Sequence, residues 1–557
     1  MATYISDLHI HPSFKPNYNV RTDPTIDLWK KIPERTEHFD QIPKELRPIV
    51  DETARSSQTN LDRLTEGRVR SIFLAIHPME RGWLRRRKNS PNPIRQAILK
   101  KVLKDKHMPH IAAGLSGVPI AQIRNMQQII RNNDPVDYYL EDTFPEYDLI
   151  RSNEQIGGDQ GAKFRIVSSW TEYQDTIQNK PNTIAGILTI EGGHALSSLS
   201  TADQYQHTYL ELTEAQRDEI RKHYFKNIRR IKGLLKTNSF AKQHTPFFIS
   251  LVHMYNNFLA GHAKSYKDGV GIFPGMDDFL DQTAAMNDDI SPLGFEVIHK
   301  LLKKDATQRR ILIDIKHMSL AARKTYYQLV GGAREHGDPI PIIYSHGSVN
   351  GFTENKFFGY DDNANDKHGY LSHWSINLYD EDIWEIYKSD GLIGLAPHEG
   401  RMPGGEALAI FNQIKKAIAW NNHRKDAYML LQRNEYIKLF LTNVFHIIKT
   451  INKKSAWNHI CLGSDYDGIM NPFDCYSDAG HFMRFFGDVQ NFLDESTEDL
   501  VGYKSGNRVT INHNERKQLM FNLSSRKIIE KMAFENVEKF LKKYFTQQYL
   551  GGPMAIT

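Results

Sequence analysis

TYISDLHIH, residues 3–11, is a strand-like run that ends with His9 and His11 two positions apart. On an extended strand, residues two apart share a face, so both imidazoles project one way while Leu8 and Ile10 turn toward covering helices. Seven further runs have the same character: SIFLAIHPM (71–79), TIAGILTIEG (183–192), PFFISLVH (246–253), RILIDIKH (310–317), PIIYSHGS (341–348), GLIGLAPHE (391–399) and HICLGSDYD (459–467). Amphipathic stretches lie between them, among them SPLGFEVIHKLLKKDA, SLAARKTYYQLVGGAREHG and RNEYIKLFLTNVFHIIKTINKK. Eight strands alternating with helices predict an α/β fold, a (β/α)8 TIM barrel with helical insertions. The competing open, doubly wound sheet lacks its Gly-rich phosphate loop after the first run. The run ends favour the barrel: His9 and His11, His77, Glu191, His253, His317, His346, His398 with Glu399, and Asp465 with Asp467. A barrel gathers such ends on one rim, around one axis.

With 557 residues, 40% of them hydrophobic, the chain can bury a large core, and disorder is not expected. It reads as a single barrel domain over 1–557 with insertions at about 80–165 and 196–244, the second holding a helix in TEAQRDEIRKHYFKNIRRIKGLLK. Lys plus Arg number 71 against 66 Asp plus Glu, and a net charge of +5 makes no whole-chain case for nucleic acid or membrane binding. Residues 81–106 are the exception, with ten basic residues against the single acid Asp105. They read either as a patch for an anionic partner or as a solvated helix face. The two cysteines, Cys461 and Cys475, supply neither a disulfide framework nor a Cys-based zinc module. No run approaches the length of a membrane span, and MATYISDLHIH enters a strand at once. The expectation is a soluble protein, cytoplasmic as given, or periplasmic or secreted if a signal peptide was removed.

His9 and His11 can give two imidazoles to one metal. H-x-H alone is a weak signal, and the other run ends strengthen it. Glu191 closes an apolar strand, where an unpaired carboxylate is costly without a cation. Together with His317 and His346 these residues make a borderline-soft donor set suited to Zn2+. A bridging Glu191 would let two ions sit about 3.5 to 4 Å apart. Asp465 is the candidate for proton transfer, with Asp467 as its rival. His253 could donate to a carbonyl oxygen as charge develops there. Cys461 reads as barrel packing.

The phrases TIEGGHAL, SLVHMYNN, DISPLGFEVIHKLL, ILIDIKHMS, PIIYSHGS and HICLGSDYDGI occur in this order, and with them the chain resembles the membrane (renal-type) dipeptidase family of zinc metallopeptidases, in the amidohydrolase superfamily. KIIEKMAFENVEKFL looks like the closing helix of that family. The resemblance covers the first run and roughly residues 165–195 and 245–540. It implies a binuclear zinc site with Glu191 bridging, His317 and His346 on one ion, and His9 and His11 on the other. It implies that His253 polarises the scissile carbonyl and that Asp465 handles the proton. The implied activity is cleavage of dipeptides, or of another small peptide amide, by a metal-bound hydroxide, and homodimers are common in the family.

Three departures stand out. His11 occupies a position where the family has Asp. Ile376, in SINLYDEDI, stands where the family has an Arg that grips the substrate carboxylate, and isoleucine cannot rebuild a bidentate clamp. Arg401 or Lys264 could take its place. The preceding segment GFTENKFFGYDDNANDKHGYLSHW is longer than usual, which predicts a remodelled pocket wall. These departures keep open a hydrolase of another small substrate, such as an N-acyl amino acid, lactone or cyclic amide. A non-catalytic metal-binding protein is the third reading.

Overall fold

All eight runs form strands of one parallel sheet in a computed structural model, which describes residues 3–34, 36–44, 47, 50, 56–87, 92–266, 275–354, 369–420, 422–504 and 506–552. The strands are β1 (Ile5–Ile10), β2 (Val69–Ile76), β3 (Thr183–Ile190), β4 (Phe248–Ser250), β5 (Leu312–Asp314), β6 (Ile343–Tyr344), β7 (Leu392–Leu395) and β8 (Ile460–Leu462). Each pairs in parallel with the next, and β8 returns to β1 through Leu462 and Asp7. The ring is closed: this is the (β/α)8 barrel expected from the sequence. An extra parallel strand, Lys163–Ile166, runs along the first half of β3.

Every residue of β1 and β3 is buried, as befits parallel strands covered on both faces. Two inward carboxylates tie neighbouring strands together. Asp7 accepts the amides of His9 and Ser464, and Asp314 accepts the Ser250 and Ser345 hydroxyls at 2.5 and 2.7 Å. Outside the ring, the helix Pro292–Leu302 is capped by Ser291, has Pro at its start and buries Leu293, Val297, Ile298 and Leu301 at helical spacing. Helices Leu320–Glu335, Asp380–Lys388 and Lys425–Ile451 follow β5, β6 and β7. The expected closing helix is present as the α-helices Ser525–Glu530 and Asn536–Tyr544 joined by a π-helical turn at Lys531–Glu535; Asn536 donates to the carbonyls of Trp457 and Ile460, pinning it to β8.

The interval 80–165 folds as helices Pro93–Val102, Met108–Ser116, Ile120–Asn132 and Phe144–Ser152. The interval 196–244 holds helix Glu214–Ile231, begun by a Thr213–Gln216 capping box and packed on Pro292–Leu302 in the crossover position between β3 and β4. Several cations of the basic segment are spent inside the protein. Arg81 is buried against Asp142 at 2.8 Å, Arg95 pairs with Asp278, and Arg87 donates to the Asp277 carbonyl. Among the described residues, no helix is long and apolar enough to cross a membrane.

Candidate metal centre

Chemistry gathers where the strands stop. His11, His77, Glu191, His253, His317, His346 and Asp465 all lie just beyond the last paired residue of their strands, while His9 is within β1. His317 and Asp465 have left-handed backbones, φ 68° and 60°, uncommon for residues other than Gly, where the chain turns sharply off the barrel rim.

Glu191 is the hub. Its Oε1 lies 3.2 Å from His317 Nε2, 3.4 Å from His9 Nε2, 3.5 Å from His346 Nε2 and 3.8 Å from His253 Nε2. Its Oε2 lies 3.3 Å from both His11 Nε2 and His77 Nδ1. Asp465 joins from β8, with Oδ1 3.2 Å from His11 Nε2 and Oδ2 3.9 Å from His346 Nε2. The histidines and Glu191 are nearly sealed, whereas the Asp465 side chain keeps 14% of its exposure, so the centre opens to solvent past Asp465.

The donor chemistry fits divalent metal ions. At tetrahedral zinc, bonds of about 2.0–2.1 Å put neighbouring donors roughly 3.3 Å apart, which is the spacing seen around Glu191. Hydrogen bonding also fixes a ligand-ready tautomer. Ser345 gives its one hydroxyl proton to Asp314, so it accepts from His346 Nδ1 at 2.9 Å. The neutral ring therefore turns a bare Nε2 lone pair toward the oxygens of Glu191 and Asp465, an arrangement that calls for a cation between them. Charge tells the same story. Burial resists it, yet the hydrogen bond to Asp465 and the charges of Glu191 and Asp465 push the His11 imidazole up to about 9. Against the same burial penalty, His253, His9 and His77 hold the Glu191 carboxyl well below the usual range. The carboxylates draw positive charge to this point, and a bound cation would supply it.

Among the described residues, two sets of donors come within mutual reach: His9, Glu191, His346 and Asp465, and separately His77, Glu191 and His253. The structure thus brings together all five expected ligands, but it groups His9 with His346, their rings 4.1 Å apart, across the pairing the resemblance implied. In a closed ring all ends face one axis, so donors from non-adjacent strands meet. Of the two rival aspartates, Asp465 faces the centre. Asp467 is turned away, held at 2.8 Å by Lys15 and by the amides of Gln58 and Thr59 and the Thr59 hydroxyl. Cys461 is buried in β8.

His253 gives its Nδ1 to Glu80 at 2.6 Å, and the same carboxylate accepts the amides of Met254 and Tyr255. Arg401 donates from Nη1 to the Ser265 carbonyl and lies over Trp374 at 5.9 Å; burial lowers its pKa while Asp465 opposes the shift. Ile376 is buried against Ala263 and Trp374. Most of the long wall segment expected at 351–374, residues 355–368, lies outside the described residues.

Sequence reasoning left His77, Glu80 and Glu146 out of the site. His77 ends β2 in the same way that His253 ends β4, so its signal was the strand-end rule itself. Glu80 and Glu146 had none: Glu80 meets His253 from 173 positions away, and Glu146 accepts the His77 amide and the Ser13 hydroxyl. Lys316 is another. It is fully buried over the Tyr344 ring, its ammonium has no hydrogen-bond partner, and burial and then Arg401 push it down to about 7.

The molecule is thus a (β/α)8 barrel with a histidine–carboxylate centre on the rim where its strands end. No family profile matches the sequence, and no curated protein matches it. Among solved structures, the probable dipeptidase PvdM from Pseudomonas aeruginosa is 12% identical with a TM-score of 0.39, covering 87% of this chain and 88% of that one. A metallo peptidase from Rhodobacter sphaeroides, liganded with a phosphinate mimic of the dipeptide L-Ala-D-Ala, is 12% identical with a TM-score of 0.40, covering 97% and 99%. Dipeptidase AC, a metallo peptidase, is 13% identical with a TM-score of 0.40, covering 97% and 98%. At such scores the likeness adds nothing to the fold and site, which rest on the pairing and side chains above.

Proposed function

We propose that the chain is a metal-dependent hydrolase of small amides, a dipeptidase of the membrane-dipeptidase type. The observation that carries this reading is the convergence of six imidazoles on the single buried carboxylate of Glu191, with Asp465 beside it at the open side. His9, His11, Glu191, His317 and His346 would hold the metal, zinc by donor type and two ions by the reach of both Glu191 oxygens. Such ions, when bound, supply Lewis acidity and acidify a water.

The remaining work falls to the protein. Asp465, the most exposed member of the centre, takes a proton from the attacking water and returns it to the leaving amine nitrogen. Glu191 fixes the charge balance between the two halves of the site. The resemblance gives His253 the scissile carbonyl, a part its Nε2 serves only while it carries a proton. Arg401, anchored on Ser265 and Trp374, is the candidate grip for a substrate carboxylate.

Ile376 favours a second reading. Its side chain is buried in an apolar cluster with Ala263 and Trp374, so the position gives no charge to a free carboxylate, which suits an N-acyl amino acid, a lactone or a cyclic amide. Initial rates of the zinc-loaded protein on a dipeptide panel, beside N-acyl amino acids and lactones, separate the two. The dipeptidase reading expects the highest kcat/KM on dipeptides with a free carboxylate. Turnover confined to the other substrates would move the assignment to the second reading, and no turnover of either would contradict both.

A further inference from the structure

Lys316 stands between β5 and His317, is buried, and its ammonium has no hydrogen-bond partner. A buried cation in that state is costly, because it has given up water without gaining an anion. Its contact is the face of Tyr344, 5.3 Å from the ring centre, which returns only part of the lost hydration. Of the charges acting on Lys316, Arg401 comes first and is of like sign; Asp465, Asp314 and Glu191 follow. Asp314 is already taken, by the Ser250 and Ser345 hydroxyls and the amides of Lys316 and Ser345. Glu191 and Asp465 serve the metal centre.

The two cations flank the turn from Trp374 to Asn377, which closes with the Asn377 amide donating to the Trp374 carbonyl. Tyr344 ties Lys316 to this turn, since its hydroxyl donates to the Ile376 carbonyl at 3.1 Å while its ring carries the ammonium. Arg401 reaches the same turn from the loop after β7. Its carbonyl accepts the Asn377 side-chain amide at 3.0 Å and the Ser348 hydroxyl at 2.9 Å, and its guanidinium lies 5.9 Å from the Trp374 ring. The guanidinium donates to the Ser265 carbonyl, an uncharged partner. Asp465 acts on both cations, so both belong to the side on which the centre opens.

We infer that Lys316 and Arg401 together form the anion subsite of the centre and hold a substrate carboxylate beside the scissile amide. Lys316 supplies a point charge and Arg401 a planar fork. The inference rests on the hydrolase reading above and narrows its substrates to small amides with a free carboxylate next to the cleaved bond. A lactone or cyclic amide without a carboxylate leaves both cations unanswered, and buried polar groups left unpaired reject a ligand strongly. The charge absent at Ile376 is thus returned by two residues that meet at its backbone.

Initial rates on alanylalanine and on its C-terminal amide test this, with zinc content verified equal in every protein so that a disturbed His317 is detected. Wild type is expected to prefer the free acid by at least about 100-fold in kcat/KM. Lys316→Met should lower kcat/KM on the free acid by about 10–100-fold, mainly through KM, and shrink the preference over the amide by the same factor. Inhibition by free alanine, which carries the same carboxylate, should weaken in parallel. Lys316→Arg should recover much of the preference, and a Lys316→Arg no better than Lys316→Met would overturn the charge role of Lys316. Arg401→Met is expected to act as Lys316→Met does, and it carries the test if Lys316→Met fails to fold by circular dichroism. A wild type that prefers the amide, or folded Met variants that keep the wild-type preference, would overturn the inference and leave the hydrolase reading standing. No turnover of any amide by zinc-loaded wild type would overturn both.

Discussion

Ser345 shows how much one hydroxyl can decide. Its proton goes to Asp314, its lone pair receives His346 Nδ1, and the bare Nε2 is thereby aimed at the centre. Ser345→Ala frees the tautomer without touching a ligand, and zinc affinity should fall by about 10–100-fold. Competition with a chromophoric chelator measures this, and an unchanged affinity would contradict the tautomer argument. Asp465→Asn keeps the shape of the side chain and removes the proton carrier. With the metal content verified equal to wild type, kcat should drop by about 10^2–10^4-fold. A variant that turns over at the wild-type rate would remove Asp465 from the mechanism. The sequence spoke clearly at this scale for His9 and His11, whose parity survives in the structure. It could not separate Asp465 from Asp467, because parity holds only along a strand. The ladder of β8 ends at Leu462, and both aspartates sit in a turn with positive φ.

The elements were legible because each repeats a local rule, apolar β-branched runs followed by helical spacing with Ser or Thr at the start. Their lengths were less so. β4, β5 and β8 keep only three paired residues and β6 two, since the residues that serve the centre peel away from the ladder. Between elements, Lys232 makes an electrostatic joint. Its ammonium, at the end of helix Glu214–Ile231, donates to the carbonyls of Lys300 and Lys303 at the end of Pro292–Leu302. Burial pushes its pKa down to about 7 from an ordinary 10.5. Below pH 7 both folded and unfolded chains hold the proton, and the fold bears the full cost of the buried charge. As pH rises from 7 toward 10.5 the folded chain sheds the proton while the unfolded chain still binds it, so this group adds stability with rising pH. Denaturant melts of wild type and Lys232→Met should therefore show wild type gaining on the variant between pH 7 and 10. A constant or shrinking difference would contradict the assignment.

On the scale of the whole molecule, the centre depends on segments that meet only when the ring closes. β1 brings His9 and His11, β3 brings Glu191, and the 80–165 interval returns Glu80 and Glu146 behind His253 and His77. No periodicity marks such long-range pairs, which is why the strand-end residues could be read from the sequence and their supports could not. The same closure seals Glu191 among six imidazoles, where a carboxylate without compensating charge would cost several kcal/mol. The central claim is that this charge arrangement exists to hold divalent metal for hydrolysis. Dipeptide turnover by protein stripped with a chelator, its metal content verified as zero, tests that claim most directly. The account predicts loss of activity on stripping and its return with about two equivalents of zinc, and full activity in the stripped protein would contradict it.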